Sequence, residues 1–384
     1  MYPDFSYILH ALFGTQPDNV FSIIKTFGLF LGLSFLASGF LLYLELKRKE
    51  KIGQLSGRLE NIIVYQPINW QFIGIQTVIN AVLAGKVMYV YLHFSEFHLD
   101  PASIIFSTKI HFISFILVGL ATAIYWFYKM NRQVDKEVRR SDIFIHPYQR
   151  VMDITGVAAL FGIIGSKLFS IFENFGDFLR DPIGNFFSGS GLTIYGGLIL
   201  AFIMVFRYVR SKGLHPIHMM DAIAPTLMVG YAVGRLGCHF SGDGDWGIVN
   251  ELAKPSWFFL PDSWWSFTYP HNVLNEGIKI DGCVFEYCSQ LSPGVFPTPL
   301  YESMLAFTIT GILWILRNKI KAAGVLFFIY CLLNGIERIF IEAIRVNPRY
   351  NILGFHPSFA QVIAFCLIIA GIAGIIFFQK KNIR

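Results

Sequence analysis

The sequence predicts an all-α protein: a polytopic membrane helix bundle of about nine transmembrane helices, with the N-terminus outside and the C-terminus in the cytoplasm. Three observations predict it. Residues are 54% hydrophobic and only 15% charged, where a soluble domain carries about 25% charge. The mean hydropathy is positive, at +0.53. Lys and Arg gather in short clusters beside apolar stretches, as in cytoplasmic loops, so the net charge of +6 is not a nucleic-acid signal.

A span requires about 20 mostly apolar residues. Such stretches fall at 23–45, 71–94, 110–129, 151–173, 191–210, 219–240, 300–317, 323–341 and 357–379. The second is the most polar, interrupted by Gln76, Asn80 and Lys86. Basic clusters follow span one (Lys47, Arg48, Lys49, Lys51), span three (Lys129, Arg132, Lys136, Arg139, Arg140), span five (Arg207, Arg210, Lys212), span seven (Arg317, Lys319, Lys321) and span nine (Lys380, Lys381, Arg384). All five clusters share one side only if the doubtful second span is kept. The N-terminal MYPDFSYILHALFG lacks a basic n-region and a small-residue cleavage site, so no secretory signal peptide is expected. Residues 1–384 read as one integral membrane domain.

The long loop 241–299 faces outward in this topology. It holds Trp246, Trp257, Trp264 and Trp265 among several Pro and Gly, and reads as a cap over a site. Cys283 and Cys288 share it and would form a disulfide if it faces an oxidising compartment. Cys238, Cys331 and Cys366 lie in or beside spans, where packing is the ordinary role of a cysteine. No metal-ligand spacing stands out, and neither a metal nor a cofactor is expected.

Offsetting the chain by 81 residues aligns Lys86 with Lys167, Phe94 with Phe175 and Phe97 with Phe178. The same offset aligns Asp100-Pro101 with Asp181-Pro182 and Phe106-Ser107 with Phe187-Ser188. Residues 60–140 thus read as an inserted two-helix hairpin, a diverged copy of 141–212 that leaves the topology unchanged. The copy has HFISFI at 111–116 where the later segment has LTIYGG at 192–197, so it reads as structural.

Polar residues inside spans are costly and mark function. Span four ends in Lys167, Glu173 and Asn174; span five opens with Tyr195, Gly196 and Gly197. Span six carries Asp221 and Arg235, span seven opens with Tyr301-Glu302, and span eight carries Asn334, Glu337, Arg338, Glu342 and Arg345. Arg338 shares a helix face with Asn334, Glu342 and Arg345. These side chains could form an Arg–Glu network that only locks the helices together. Two arginines near the outer leaflet also suit an anionic head group, because guanidinium forks match phosphate oxygens. Gly196, Gly197, Gly234 and Gly237 remove side chains where helices or a ligand come close.

With these residues in view, the chain resembles the phosphatidylglycerol–prolipoprotein diacylglyceryl transferases, bacterial lipoprotein-modifying membrane enzymes, with an extra hairpin inserted. The resemblance rests on GRLGCHFSGDGDWG (234–247), YGGLI (195–199), DAIAP (221–225), PLYE (299–302) and ERIFIEAIR (337–345). It implies transfer of a diacylglyceryl group from phosphatidylglycerol to the lipobox cysteine thiol of a prolipoprotein, forming a thioether and releasing glycerol 1-phosphate. It also implies a multi-pass place in the bacterial cytoplasmic (inner) membrane, among membrane lipids, with a prolipoprotein signal peptide as partner. By position Arg235 matches the signature arginine, Arg338 the second essential one and Glu342 the acidic residue one turn on. Asp221 matches the aspartate before span six, and Asp245 is the nearest counterpart of the signature's acidic residue before Trp246-Gly247.

Three departures are visible: Tyr195 stands where the family often has His, Cys238 or His239 where it has Asn, and Asn334 where it often has Tyr. The substrate-binding set is therefore Arg235, Arg338, Gly196, Gly197, Asp221, Gly237, Asp245, Gly247, Tyr301, Glu302, Asn334 and Glu342. Thiol activation requires a base. His239 is the first candidate by its ordinary pKa, although a structural hydrogen bond at a helix end is an equal reading. Tyr195 would orient the head group, and Asp243, Asp245 and Glu302 are further candidates. The rival readings are an anionic-lipid-binding or transport protein, and a family member without activity.

Overall fold

The computed structural model describes residues 1–65, 69–99, 104, 107–132, 139–180, 182, 193–346 and 357–383. The chain is mostly helical. Six helices are long and apolar enough to cross a membrane: Thr26–Lys51, Trp70–Leu92, Phe112–Asn131, Pro147–Glu173, Thr298–Leu316 and Phe359–Lys380. The expected stretches at 191–210, 219–240 and 323–341 are also helical, as Ile194–Ser211, Pro216–Ser241 and Val325–Glu342. They carry the arginines and carboxylates that lower their hydropathy. The protein is a polytopic helical membrane protein.

In chain order we label α1 (Phe5–Phe13), α2 (Thr26–Lys51), α3 (Trp70–Leu92), α4 (Phe94–Leu99), α5 (Phe112–Asn131) and α6 (Val151–Glu173). There follow α7 (Phe175–Arg180), α8 (Ile194–Ser211), α9 (Pro216–Ser241), α10 (Thr298–Leu316), α11 (Val325–Glu342) and α12 (Phe359–Ile383). A wholly α chain is expected, but two two-stranded ribbons are present: β1 (Arg58–Tyr65) with β2 (Arg139–Ile145), and β3 (Ile278–Lys279) with β4 (Ser289–Gln290). Both lie outside the apolar stretches, where backbone groups need sheet partners instead of a helix ladder.

The chain divides into two compact units, Met1–Ser56 with Pro147–Thr155 and Val209–Arg384, and Gly57–His146 with Gly156–Tyr208. In the first, α9 is central and packs on α2, α10 and α11, while α11 packs on α12. Small residues make this possible. A Cβ on Gly237 would stand 2.7 Å from Phe30 Cβ of α2, so the two helices meet there at backbone distance. Hydroxyls tie the helices further: Ser38 Oγ donates to Thr226 O (3.0 Å) and Ser303 Oγ to Ala232 O (2.9 Å). Between α9, α10 and α11 lies a core of Met228, Ala232, Ala306, Ile309, Leu313 and Leu326.

Residues 242–297 fold over the 241 end of α9. Trp246, Tyr269 and Val295 form a small core there, and Cys283 and Cys288 are bridged. The N-terminal segment is sewn to this region: Tyr287 N donates to Tyr7 Oη (3.2 Å), Lys25 Nζ to Tyr287 Oη (3.1 Å) and Glu286 N to Asp18 Oδ2 (3.0 Å).

In the second unit, β1 and β2 pair antiparallel with Asn61 opposite Asp142, whose side chains bond at 2.9 Å. Helix α3 packs on α5, with Gly119 against Ala81 and Gly85 against Phe115. Lys86, in a membrane-length helix, is satisfied by Ile104 O (2.8 Å), Ser107 Oγ (3.1 Å) and Ser107 O. The bounds of α3 and α4 recur 81 residues later as those of α6 and α7. Asp100, Pro101, Asp181, Phe106, Phe187 and Ser188, which align at the same offset, lie outside the described residues.

Candidate active site

Helices α9, α10 and α11 run in alternating directions, so the C-terminal ends of α9 and α11 lie level with the N-terminal end of α10. Every charged residue singled out in spans six to eight, except Asp221, falls at that level. Glu302, in the second turn of α10, is fully buried and is the hub. Its Oε1 accepts from Arg338 Nη1 (2.7 Å) and Arg345 Nη1 (3.1 Å), and its Oε2 lies 3.0 Å from Arg235 Nε. Asp245 is a second hub: Arg235 Nη1 donates to Oδ2 and Arg345 Nη2 to Oδ1. Arg338 Nη2 also lies 3.6 Å from Glu342 Oε2, the i,i+4 pair read from the sequence. The Arg235 guanidinium sits over the Tyr231 ring, 5.2 Å from its centroid.

Three guanidiniums packed this closely repel one another strongly in a medium of low dielectric constant, and each would leave its site without a carboxylate. Three carboxylates answer them. Asp245 shows the balance: burial raises its pKa, but Arg235 and Arg345 outweigh burial and hold the carboxyl below the usual carboxylate range. Asp243 receives weaker support, from Cys238, the Asp245 N–H and Arg235. Burial first, and then the Asp245 carboxylate, push its carboxyl up. Cys238 Sγ lies 3.7 Å from Arg235 Nη1, and ligand atoms of Cys238, Asp243 and Asp245 lie within 4.8 Å of one another. This trio could hold a cation; in this structure the guanidinium of Arg235 supplies one.

The segment after α9 holds Asp245 in place through backbone contacts. Thr298 Oγ1 donates to Asp245 O (2.7 Å), Gly247 N to Phe296 O (2.9 Å) and Ile248 N to Ile344 O (2.9 Å). Gly247 and Arg345 form an isolated antiparallel bridge. A Cβ on Gly247 would stand 2.5 Å from Ile344 O and 2.9 Å from Thr298 Cγ2, so only glycine lets the two backbones meet where Arg345 faces Asp245. Gly247 thus acts through Arg345. The sequence contained Arg345, on the face of Arg338, but gave no reason to join it to Asp245.

The remaining expected residues are dispersed. Asp221 is not at this level: fourteen residues from Arg235, about 21 Å along the helix, it accepts from Gly324 N (2.7 Å) and Phe327 N (3.0 Å). It caps α11, a structural task. Gly237 faces Phe30, as above. Tyr301 donates to Trp264 O and anchors the cap. Asn334 Nδ2 donates to Met228 Sδ (3.5 Å), deeper between the helices.

His239 is buried in an aromatic box of Phe240, Phe267 and Tyr269, its Nδ1 3.2 Å from Tyr269 Oη. It lies at the edge of the cluster, one turn after Arg235 on α9. Gly196 and Gly197 belong to the other compact unit and pack α8 on α6. Cβ atoms there would stand 2.6 Å from Gly165 O and 2.7 Å from Gly162 O. Tyr195 lies in the first turn of α8, and its side chain is outside the described residues.

A family model described as prolipoprotein diacylglyceryl transferase matches residues 102–377. Similar proteins carry the name phosphatidylglycerol–prolipoprotein diacylglyceryl transferase. That of Clostridium novyi (strain NT) is 30% identical over 247 residues, 64% of this chain and 85% of the relative. That of Leptospira interrogans (serovar copenhageni) is 25% identical over 272 residues, 64% of this chain and 74% of the relative. That of Clostridium botulinum (strain Hall) is 30% identical over 241 residues, 62% and 84%. The matched region contains α9 to α11 and the carboxylates and guanidiniums that meet at their shared level. The chain belongs to the prolipoprotein diacylglyceryl transferase family.

Proposed function

We propose that this protein transfers the diacylglyceryl group of phosphatidylglycerol to the lipobox cysteine thiol of a prolipoprotein, releasing glycerol 1-phosphate. The observation that carries the site assignment is the convergence of Arg235, Arg338 and Arg345 on Glu302 and Asp245 in a chain of this family. A guanidinium carries five N–H donors, so Arg235 and Arg338 can hold carboxylate and phosphodiester oxygens together. Glu302 and Asp245 fix the forks before substrate arrives, which is the condition for electrostatic stabilisation of a leaving phosphate.

In the transfer step the substrate sulfur bonds to the glyceryl carbon as the carbon–oxygen bond to phosphate breaks. The electron pair leaves on the phosphate oxygen, and the thiol proton passes to a base. Asp243 suits that role better than His239: its carboxyl is not consumed by an arginine pair and is held above the usual range, whereas His239 is boxed by aromatic rings. Tyr195 remains assigned to head-group orientation through the family motif YGGLI.

The basic clusters support nine spans in the bacterial cytoplasmic membrane, with the N-terminus and residues 242–297 outside. The disulfide in that region agrees with an oxidising compartment. Residues 60–140 are a diverged copy of 141–212; the shared element bounds at an 81-residue offset support this reading.

The test is complementation. A host depleted of its own transferase should be rescued by this gene and not by its Arg235→Ala variant. Membranes supplied with phosphatidylglycerol and a prolipoprotein should accumulate the diacylglyceryl-modified product by mass spectrometry. Absence of that product with the unaltered chain overturns the assignment.

A further inference from the structure

Residues 254–262 form a loop whose ends are clipped together. Lys254 Nζ donates to Asp262 Oδ1 (2.6 Å) and to Leu260 O (2.9 Å), and just outside them Trp265 Nε1 donates to Leu252 O (2.8 Å). Between the two charges run Pro255, Ser256, Trp257, Phe258, Phe259, Leu260 and Pro261, without a charge. Each proline fixes its own φ and its carbonyl accepts the next turn's N–H: Phe258 N to Pro255 O (3.0 Å) and Trp264 N to Pro261 O (2.9 Å). The loop is thus pre-shaped, and although Trp257 meets Trp265 edge-on at 6.3 Å, the rings at its tip face outward. Trp257 is 71% exposed and Phe259 91%.

The root of the loop fixes its level. A line of rings runs from Phe258 to Trp265 (5.2 Å) and from Trp265 to Phe296 (5.6 Å), two residues before α10 begins. Tyr301, in the first turn of α10, donates to Trp264 O. The loop therefore springs from the mouth of a membrane-length helix.

We infer that the tip formed by Trp257 and Phe259 is a membrane-interface anchor that seats the region above the active site on the outer lipid leaflet. Aromatic side chains with a charged pair at their base match the head-group boundary, where apolar rings and polar groups are both satisfied. A rigid tip loses little conformational entropy on insertion. A lipid surface fits better than a peptide, because residues 254–262 include no strand whose edge a peptide could extend. The inference rests on the membrane topology proposed above, but its test does not require turnover.

The test uses the full chain in nanodiscs of phosphatidylglycerol and phosphatidylcholine. Trp257 is one of seven tryptophans, so its emission is the difference between the unaltered chain and Trp257→Phe. That emission should be quenched several-fold more by lipids brominated near the head group than by acrylamide in the water. Phe259→Trp in the Trp257→Phe background gives a second reporter, expected to behave in the same way. Quenching by acrylamide and not by brominated lipid at both positions overturns the anchor. Protection that appears only when a prolipoprotein signal peptide is added also overturns it, and makes the tip a peptide surface. Absence of transferase product from the unaltered chain, with lipid quenching intact, would instead sink the enzymatic assignment alone.

Discussion

Helix α9 buries charge at both ends, and the two ends do so differently. At its 216 end every partner is assigned one role. Asp221 accepts two backbone N–H groups at the start of α11, and nearby Glu45, fully buried, takes Arg48 and Arg317 on its own. At its 241 end three arginines share two hub carboxylates. Burial of charge alone therefore does not mark the site. In the first, the arginines answer a single carboxylate, whereas in the second three guanidiniums are shared between two, and each guanidinium has five N–H donors.

The largest effect that separates the two ends is expected from Arg235→Ala. Removing a pre-placed donor to developing charge costs about 100- to 1,000-fold in rate, so product formation should fall by that order while the protein still extracts and elutes as the native species. Arg317→Ala should lose little turnover per folded molecule. Equal loss of specific activity in both variants would break the comparison.

Glu302→Gln comes next. It strips the hub from one buried and two partly buried cations, and breaking a buried pair costs roughly 3–5 kcal/mol. Thermal unfolding in detergent should show a large drop in midpoint, and phosphatidylglycerol should restore part of it, because phosphate can replace the missing anion. The same substitution at Glu45 should give a similar drop that the lipid does not restore.

Asp221→Ala should be milder, about 0.5–2 kcal/mol as for other lost helix caps. The KM for phosphatidylglycerol should stay unchanged. A raised KM would return Asp221 to the lipid site.

The smallest effects concern pH. The Asp243 carboxyl is raised by burial above its ordinary 3.8, so ionising it costs folding free energy. Its contribution to stability is favourable at low pH and is lost as pH rises from the unfolded value through the folded one. If Asp243 takes the thiol proton, the rate should rise with pH along a limb placed above the ordinary carboxylate range, and Asp243→Asn should abolish that limb. Asp245 has the opposite sign. Held low by Arg235 and Arg345, it stabilises the fold at and above the ordinary carboxylate pKa, and this is lost only as pH falls through its depressed value.

Much of the architecture was legible in the sequence. Every apolar stretch expected to be a span contains a long helix, because hydropathy over about 20 residues is a local property. Arg235, Arg338, Glu302 and Asp245 could be named from polar residues in apolar surroundings and from the family motifs. Three things were not legible. Asp221 reads as a site residue because a buried aspartate looks the same whether it holds a ligand or caps a neighbouring helix. The ribbons of β1 with β2 and β3 with β4 depend on pairing between segments far apart or across a turn, which hydropathy over a single segment does not report. Gly237 reads as site lining, yet its neighbour is Phe30 on α2, a contact set by how two helices cross.

The sequence by itself determined that this chain is helical, lies in a membrane and carries an arginine signature, since those follow from composition and from short motifs. Tertiary structure alone decided which charges act together. Arg345 joins Asp245 across one hundred residues because Gly247 has no side chain to keep the backbones apart. His239, one turn after Arg235 on α9, is enclosed by the rings of Phe267 and Tyr269, which come from a distant part of the chain. Electrostatic coupling falls off with distance through space, and distance along the chain does not report it.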